Sequence, residues 1–172
     1  MRLNLGARLV LASASPRRIE LLKLMGLDVE VIPSCVNEAT QQDETPEQHV
    51  MRLSAEKASA VAGCHPEAWV IGADTIVFLE GELFGKPASL ADAKRMLMRL
   101  SGREHFVYTG FTVVQRGENI LSWGVVKTSV LFKVVSEDEI NWYIMTEEPY
   151  DKAGGYAVQG IGAFFIKELH GS

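Results

Sequence analysis

Apolar and polar positions along the chain change period repeatedly, marking alternate strands and helices. Residues 8–12 (RLVLA) make a short apolar run, a strand, that breaks at Ser13-Ala14-Ser15-Pro16. There Ser15 can cap a helix, and Pro16 suits its first turn because the missing N–H has no partner to lose at that position. The pattern predicts a helix over 17–25 that turns Ile19, Leu22 and Leu24 inward and stops at Gly26, followed by a strand over 29–32 and a polar loop over 33–44. Thr45-Pro46-Glu47-Gln48 has the form of a capping box. It opens a helix that runs to about residue 62, closes at Gly63, and buries Val50, Leu53, Ala58 and Val61.

Farther along, 69–72 reads as an apolar strand ending in Ala73-Asp74-Thr75, and 76–79 with Leu83-Phe84 reads as a hairpin around Glu80-Gly81-Glu82. Ser89 caps a helix over 90–100. Two long strand-like runs, 104–114 and 120–135, are expected to pair antiparallel through a turn at Arg116-Gly117. A second capping box, Ser136 to Glu139, starts a helix through Ile140, Tyr143 and Ile144 that must end before Pro149. A glycine-rich loop over 150–162 then leads into a last strand over 163–169, apolar on both faces through Phe164, Phe165, Ile166 and Leu169. Without an internal repeat, low-complexity tract or linker, the 172 residues predict one domain.

Composition narrows the function. A chain that is 47% apolar can bury a core, while a formal net charge of -5 argues against a general nucleic-acid binder, because affinity for phosphate backbones needs a basic surface. No stretch approaches the roughly 20 apolar residues that span a bilayer, so no membrane partner is expected. The two cysteines, Cys35 and Cys64, stand in no paired motif and read as free thiols of a cytoplasmic protein. Any phosphate site must therefore be local.

Three places could carry chemistry. In Ser13 to Arg18 (SASPRR), a helix start offers unpaired N–H groups, and Arg17 and Arg18 offer planar donors to phosphate oxygens. The other reading is a capped helix whose arginines face water. Lys57 falls on the buried stripe of its helix, where an unpaired ammonium is costly, unless its long stem carries the charge out to solvent. Asp74 stands where a strand of Trp, Val and Ile breaks, a place where α/β sheets collect ligand-binding groups; a turn aspartate would look the same. Gly85-Lys86-Pro87 lacks the spacing and the Ser or Thr of a phosphate-binding lysine loop. Gly160-Ile161-Gly162 lacks the third glycine and the following helix of a dinucleotide fingerprint. His49, His65, His105 and His170 show no metal-ligand spacing and read as structural or exposed.

Taken together, SASPRR at 13–18, EKA at 56–58, GADT at 72–75, GKP at 85–87, LSGR at 100–103 and DKAGGYAVQG at 151–160 resemble the Maf family of nucleotide pyrophosphatases, in order and over nearly the whole chain. The resemblance implies an α/β fold with a mixed elongated β-sheet flanked by helices, related to the inosine triphosphatase group, with a cleft between two lobes, and a homodimer. It implies phosphate contacts from Ser13, Arg17, Arg18, Lys57 and Lys86. It assigns Glu38 and Asp74 to a divalent cation, Mg²⁺ or Mn²⁺, and makes Asp74 the proton acceptor for a water attacking the α phosphorus of a nucleoside triphosphate. The expectation is one Maf-like domain over 1–172, without the family's C-terminal strand and helix and with Gly155 where alanine is common.

Subgroups of the family differ in the base they accept. Arg17 after Pro16, Thr75 after Asp74 and Gln159 before Gly160 resemble the subgroup acting on dTTP and UTP, whereas the 7-methyl-GTP subgroup places tryptophan after the proline and an acid at the last position. A glutamine amide both donates and accepts, as a pyrimidine edge with O4 and N3–H requires. The alternative from a different class is a non-catalytic nucleotide-binding regulator of septum formation. Pairing Asp74 with Glu38 favours catalysis, because binding anions needs the cations but not a water-activating acid.

Overall fold

Helices and strands alternate through residues 6–116 and 120–172, the part of the chain that the computed structural model describes. In chain order the elements are β1 (Leu9–Leu11), α1 (Pro16–Leu24), β2 (Glu30–Val31), α2 (Pro46–Ala62), β3 (Trp69–Leu79), β4 (Glu82–Phe84), α3 (Leu90–Leu100), β5 (Glu104–Gln115), β6 (Ile120–Phe132), α4 (Glu137–Ile144) and β7 (Ile166–His170). They build one mixed sheet in the order β2-β1-β3-β5-β6-β7, with β4 paired to β3. β1 runs parallel to β2 and β3, and the helices α1 and α2 make the crossovers that parallel strands need. β4 is antiparallel to β3, and β7 to β6. The turn expected at Arg116-Gly117 reaches outside the described residues at Gly117.

The chain divides into two compact units, one of Met1–Asp74 with Thr109–Val125, the other of Thr75–Tyr108 with Val126–Ser172. The core of the first gathers Val10, Ala12, Ala58, Val61, Val70 and Val114 between α2 and the strands. The second has a larger, aromatic core in which Phe84, Leu97, Phe132, Tyr143, Tyr156 and Phe165 are all buried. Among the described residues no helix is long and apolar enough to cross a membrane.

Local sequence accounts for most boundaries. Both capping boxes form: Thr45 accepts from the Gln48 N–H while Gln48 reaches back to Thr45, and Ser136 and Glu139 do the same at α4. The stripe expected on α2 is buried throughout. Three expectations need correction. α1 buries no residue, and Leu24 is 77% exposed. This helix is the crossover to the edge strand β2, only two residues long and exposed at both, so little sheet is available for an apolar stripe to cover. Ser15 occupies the N-cap position without capping through its side chain. The last strand begins at Ile166 rather than 163, because Ile161–Phe165 is a 3-10 turn that lets Phe165 enter the aromatic core.

Candidate functional site

β3 was expected to end near Asp74, but it continues as a single strand of 11 residues. Its partners explain both the expectation and the outcome. β1 pairs with Trp69 to Ile71 and β4 with Val77 to Leu79, so Asp74 occupies the interval between the two pairings, just past the carboxyl end of β1. The strand runs on, yet the parallel part of its pairing stops where the apolar pattern broke. Gly72, Ala73 and Asp74 are buried in succession there.

A carboxylate buried in a strand needs a counter-charge. Lys57 supplies it: its Nζ donates to Asp74 Oδ1 at 2.6 Å, with both side chains 9% exposed. The same ammonium meets Glu38 Oε1 at 2.7 Å. The stripe position of Lys57 is thereby explained, since its charge is neither unpaired nor carried out to solvent. What allows the approach is Gly72. A Cβ there would fall 2.2 Å from the Ser54 carbonyl oxygen and 2.7 Å from the Ala58 nitrogen, so α2 rests directly on the strand and delivers Lys57, on the same turn, to Asp74. Gly110 on β5 has the same relation to Val50, with a would-be Cβ 2.4 Å from its carbonyl oxygen. Neither glycine was singled out from the sequence for this role; glycine inside an otherwise apolar strand was the available signal.

The loop between β1 and α1 joins the group through Arg18. Its Nη1 donates to Ser13 Oγ at 3.1 Å and to the carbonyl oxygen of Ala73 at 2.7 Å, tying SASPRR to the strand residue beside Asp74. Ser13 Oγ also accepts from the Ser15 N–H at 3.2 Å, so the hydroxyl shapes the turn itself. Burial pulls the Arg18 guanidinium down from its ordinary value and Arg17 adds to the fall, while Asp74 and Glu38 oppose it. The α1 N-terminus carries no side-chain cap from Ser15. Five of the expected residues thus form two directly bonded sets, Ser13 with Arg18 and Lys57 with Glu38 and Asp74, joined through the Ala73 carbonyl oxygen that Arg18 reaches, and Arg17 lies half-buried on the same helix turn.

A second network secures the segment that carries Glu38. Arg52 on α2 donates to the Ala39 carbonyl oxygen at 3.1 Å and to both carboxylate oxygens of Glu44. Arg52 first, then His49 and the Gln41 N–H, hold the Glu44 carboxyl down at about 2 against its burial.

The remaining expected residues, Thr75, Lys86 and Gln159, belong to the second unit. Thr75 is half-buried, while Lys86 and Gln159 are exposed. The Gly154 N–H donates to the Gly85 carbonyl oxygen at 2.9 Å, which fixes the GKP turn to the glycine-rich loop. Gly155, where the family commonly has alanine, has φ +74, a conformation that favours glycine. Among the described residues no group of three or more His, Cys, Asp and Glu is arranged to hold a metal ion. Glu38 and Asp74 are two carboxylates converging on one positive charge, the oxygen-donor type that Mg²⁺ and Mn²⁺ take.

A family model described as Maf-like protein matches residues 8–172. The chain belongs to the Maf family. It is 58% identical over 165 residues to a Syntrophus aciditrophicus protein named dTTP/UTP pyrophosphatase, the match covering 96% of this chain and 80% of that relative. Proteins of the same name from Vibrio cholerae and Desulfotalea psychrophila are 49% and 46% identical, over 96% and 95% of this chain and 88% and 84% of theirs. Among solved structures, the Staphylococcus aureus Ham1 protein matches with a TM-score of 0.53 at 18% identity, covering 73% of this chain and 71% of that one. Maf membership and this likeness in fold agree with the mixed sheet flanked by helices that the family resemblance implied.

Proposed function

We propose that this Maf protein is a nucleoside triphosphate pyrophosphatase that hydrolyses dTTP and UTP to the monophosphate and pyrophosphate. The observation that carries the reading is the convergence of Glu38 and Asp74 on Lys57, beside a turn in which Arg18 donates both to Ser13 and to the Ala73 carbonyl oxygen of the same strand. The names of the relatives support the substrate class. Ser13, Arg17, Arg18, Lys57 and Lys86 bind the phosphates, offsetting charge that an acidic protein otherwise repels. Asp74 accepts the proton of the attacking water as its oxygen bonds the α phosphorus and the bond to the bridging oxygen breaks, releasing pyrophosphate. A divalent ion, Mg²⁺ or Mn²⁺, held by Glu38 and Asp74, would screen phosphate charge and acidify that water. Gln159, with Thr75 and Arg17, reads the pyrimidine edge.

The reading extends to one catalytic domain over 1–172, acting in the cytoplasm as a homodimer without nucleic-acid partners. Pyrophosphate release measured over dTTP, UTP, CTP, GTP and 7-methyl-GTP, with Mg²⁺ or Mn²⁺, tests it. The expected result is monophosphate and pyrophosphate from dTTP and UTP above the others. Nucleoside diphosphate and orthophosphate as first products would sink the bond assignment, and preference for 7-methyl-GTP would sink the pyrimidine assignment.

A further inference from the structure

Gly160-Ile161-Gly162 is no dinucleotide fingerprint, and the structure gives these glycines another purpose. The carboxylate of Glu148, twelve residues upstream of Gly160, is enclosed by this segment. Its Oε2 accepts from the Ile161 N–H at 2.8 Å, and its Oε1 accepts from the Gly162 N–H at 2.8 Å and from the Tyr143 hydroxyl at 3.0 Å. The glycines are what let it sit there. Gly160 has φ +106 and a would-be Cβ 2.7 Å from Glu148 Oε2, while a Cβ on Gly162 would fall 2.8 Å from the Tyr143 hydroxyl and 3.0 Å from the Ala157 nitrogen. The backbone of Glu148 is fixed in turn, its carbonyl oxygen accepting from Lys152 Nζ at 2.7 Å.

Gln159, the residue assigned to the base edge, immediately precedes Gly160 and is exposed. A segment with two glycines has wide conformational freedom unless something holds it. Hydrogen bonds to an ionised acceptor are among the stronger ones, and here they act at the two residues following Gly160. Burial pushes the Glu148 carboxyl up, but the N–H groups of Gly162 and Ile161 and the Tyr143 hydroxyl outweigh it and hold the group below the ordinary carboxylate range. With its oxygens engaged by the loop, Glu148 acts through Gln159.

We propose that Glu148 is the positioning residue of the base-reading loop: its carboxylate clamps the Ile161 and Gly162 N–H groups and so fixes the direction in which Gln159 presents its amide to a pyrimidine. The inference rests on the pyrimidine triphosphate reading above. A carboxamide at 148 has the same size but only one accepting atom, so one loop N–H must face an amide donor. Loss of one hydrogen bond to an ionised acceptor corresponds to roughly tenfold in affinity.

The test is steady-state pyrophosphate release from UTP and from GTP by the full chain, for wild type, Glu148→Gln and Tyr143→Phe, with melting curves for each. Wild-type turnover of UTP is required first; its absence would overturn the substrate reading and this inference with it. Given turnover, a folded Glu148→Gln variant is expected to lose about tenfold in kcat/KM for UTP, chiefly through KM, and to narrow the UTP to GTP preference by a similar factor. A merely structural role would lower both substrates alike, and an unchanged preference ratio in the folded variant overturns the inference. Should Glu148→Gln fail to fold, Tyr143→Phe decides, since it removes one of the three donors and leaves the carboxylate. A narrowing of the ratio by about threefold supports the clamp and an unchanged ratio overturns it.

Discussion

At the scale of single residues, one ammonium decides the site. Lys57 faces two carboxylates in very different surroundings: Asp74 is 9% exposed and Glu38 is 55% exposed at the side chain. An exposed pair contributes about 0–1 kcal/mol, whereas leaving one member of a buried pair alone costs about 3–5 kcal/mol. Glu38→Gln is therefore expected to leave thermal stability nearly unchanged. Lys57→Met should destabilise by several kcal/mol, and adding Asp74→Asn to it should recover part of the loss, because the stranded charge is then gone; denaturant unfolding of the single and double variants checks this. Without such recovery, the cost would lie in packing rather than charge. Activity separates the same residues differently. Asp74→Asn is expected to reduce turnover at least about 100-fold while substrate still binds, the scale of a lost general base, and near wild-type turnover would remove Asp74 from that role.

Among the elements, α2 and β3 matter most, because their contact sets the distance between Lys57 and Asp74. A methyl group at Gly72 would stand 2.2 Å from the Ser54 carbonyl, backbone that no rotamer change can move aside, so α2 must shift. Gly72→Ala is expected to destabilise by about 1–3 kcal/mol and to lose activity beyond what its melting temperature explains, since the shift separates the ion pair. Gly110→Ala, which meets Val50 about one turn before Ser54 on the same helix, should cost comparable stability with less effect on turnover; equal activity losses would deny the special place of Gly72. The same elements show what could be read from sequence. The capping boxes, the α2 stripe and the α3 boundaries depend on neighbours within a few residues and were legible. The unbroken course of β3 depends on which strands flank each half, and the exposure of α1 depends on a two-residue edge strand, neither of which local periodicity encodes. In the site, Lys57 and Asp74 were legible as charges in apolar patterns. Glu148 and the two helix-seating glycines were not, because their meaning lies in contacts with distant residues.

Over the whole molecule, each unit carries a buried ionisable group whose titration is shifted, and the two respond to acid in different ranges. In the second unit, His105 is fully buried and packs edge-on against Phe132 and Tyr156. Its Nδ1 lies 3.3 Å from the Arg103 carbonyl oxygen, which can only accept, so Nδ1 carries the proton and Nε2 accepts from the Tyr156 hydroxyl at 2.6 Å. Burial pulls this imidazole from 6.5 to about 4. The unfolded chain therefore binds a proton that the folded chain refuses, and stability falls as pH drops from about 6.5 towards 4, by up to about 3 kcal/mol. In the first unit, Glu44 is held at about 2 against an ordinary 4.5, chiefly by Arg52. Its contribution is complete above about pH 4.5 and is lost as pH falls towards 2. Melting temperature against pH should accordingly decline in two successive ranges. His105→Gln, though less stable at neutral pH, should flatten the upper decline and keep the lower, while Glu44→Gln should do the reverse. If both variants kept the wild-type profile, the acid response would have to arise from the many exposed carboxylates together, and neither buried group would govern it.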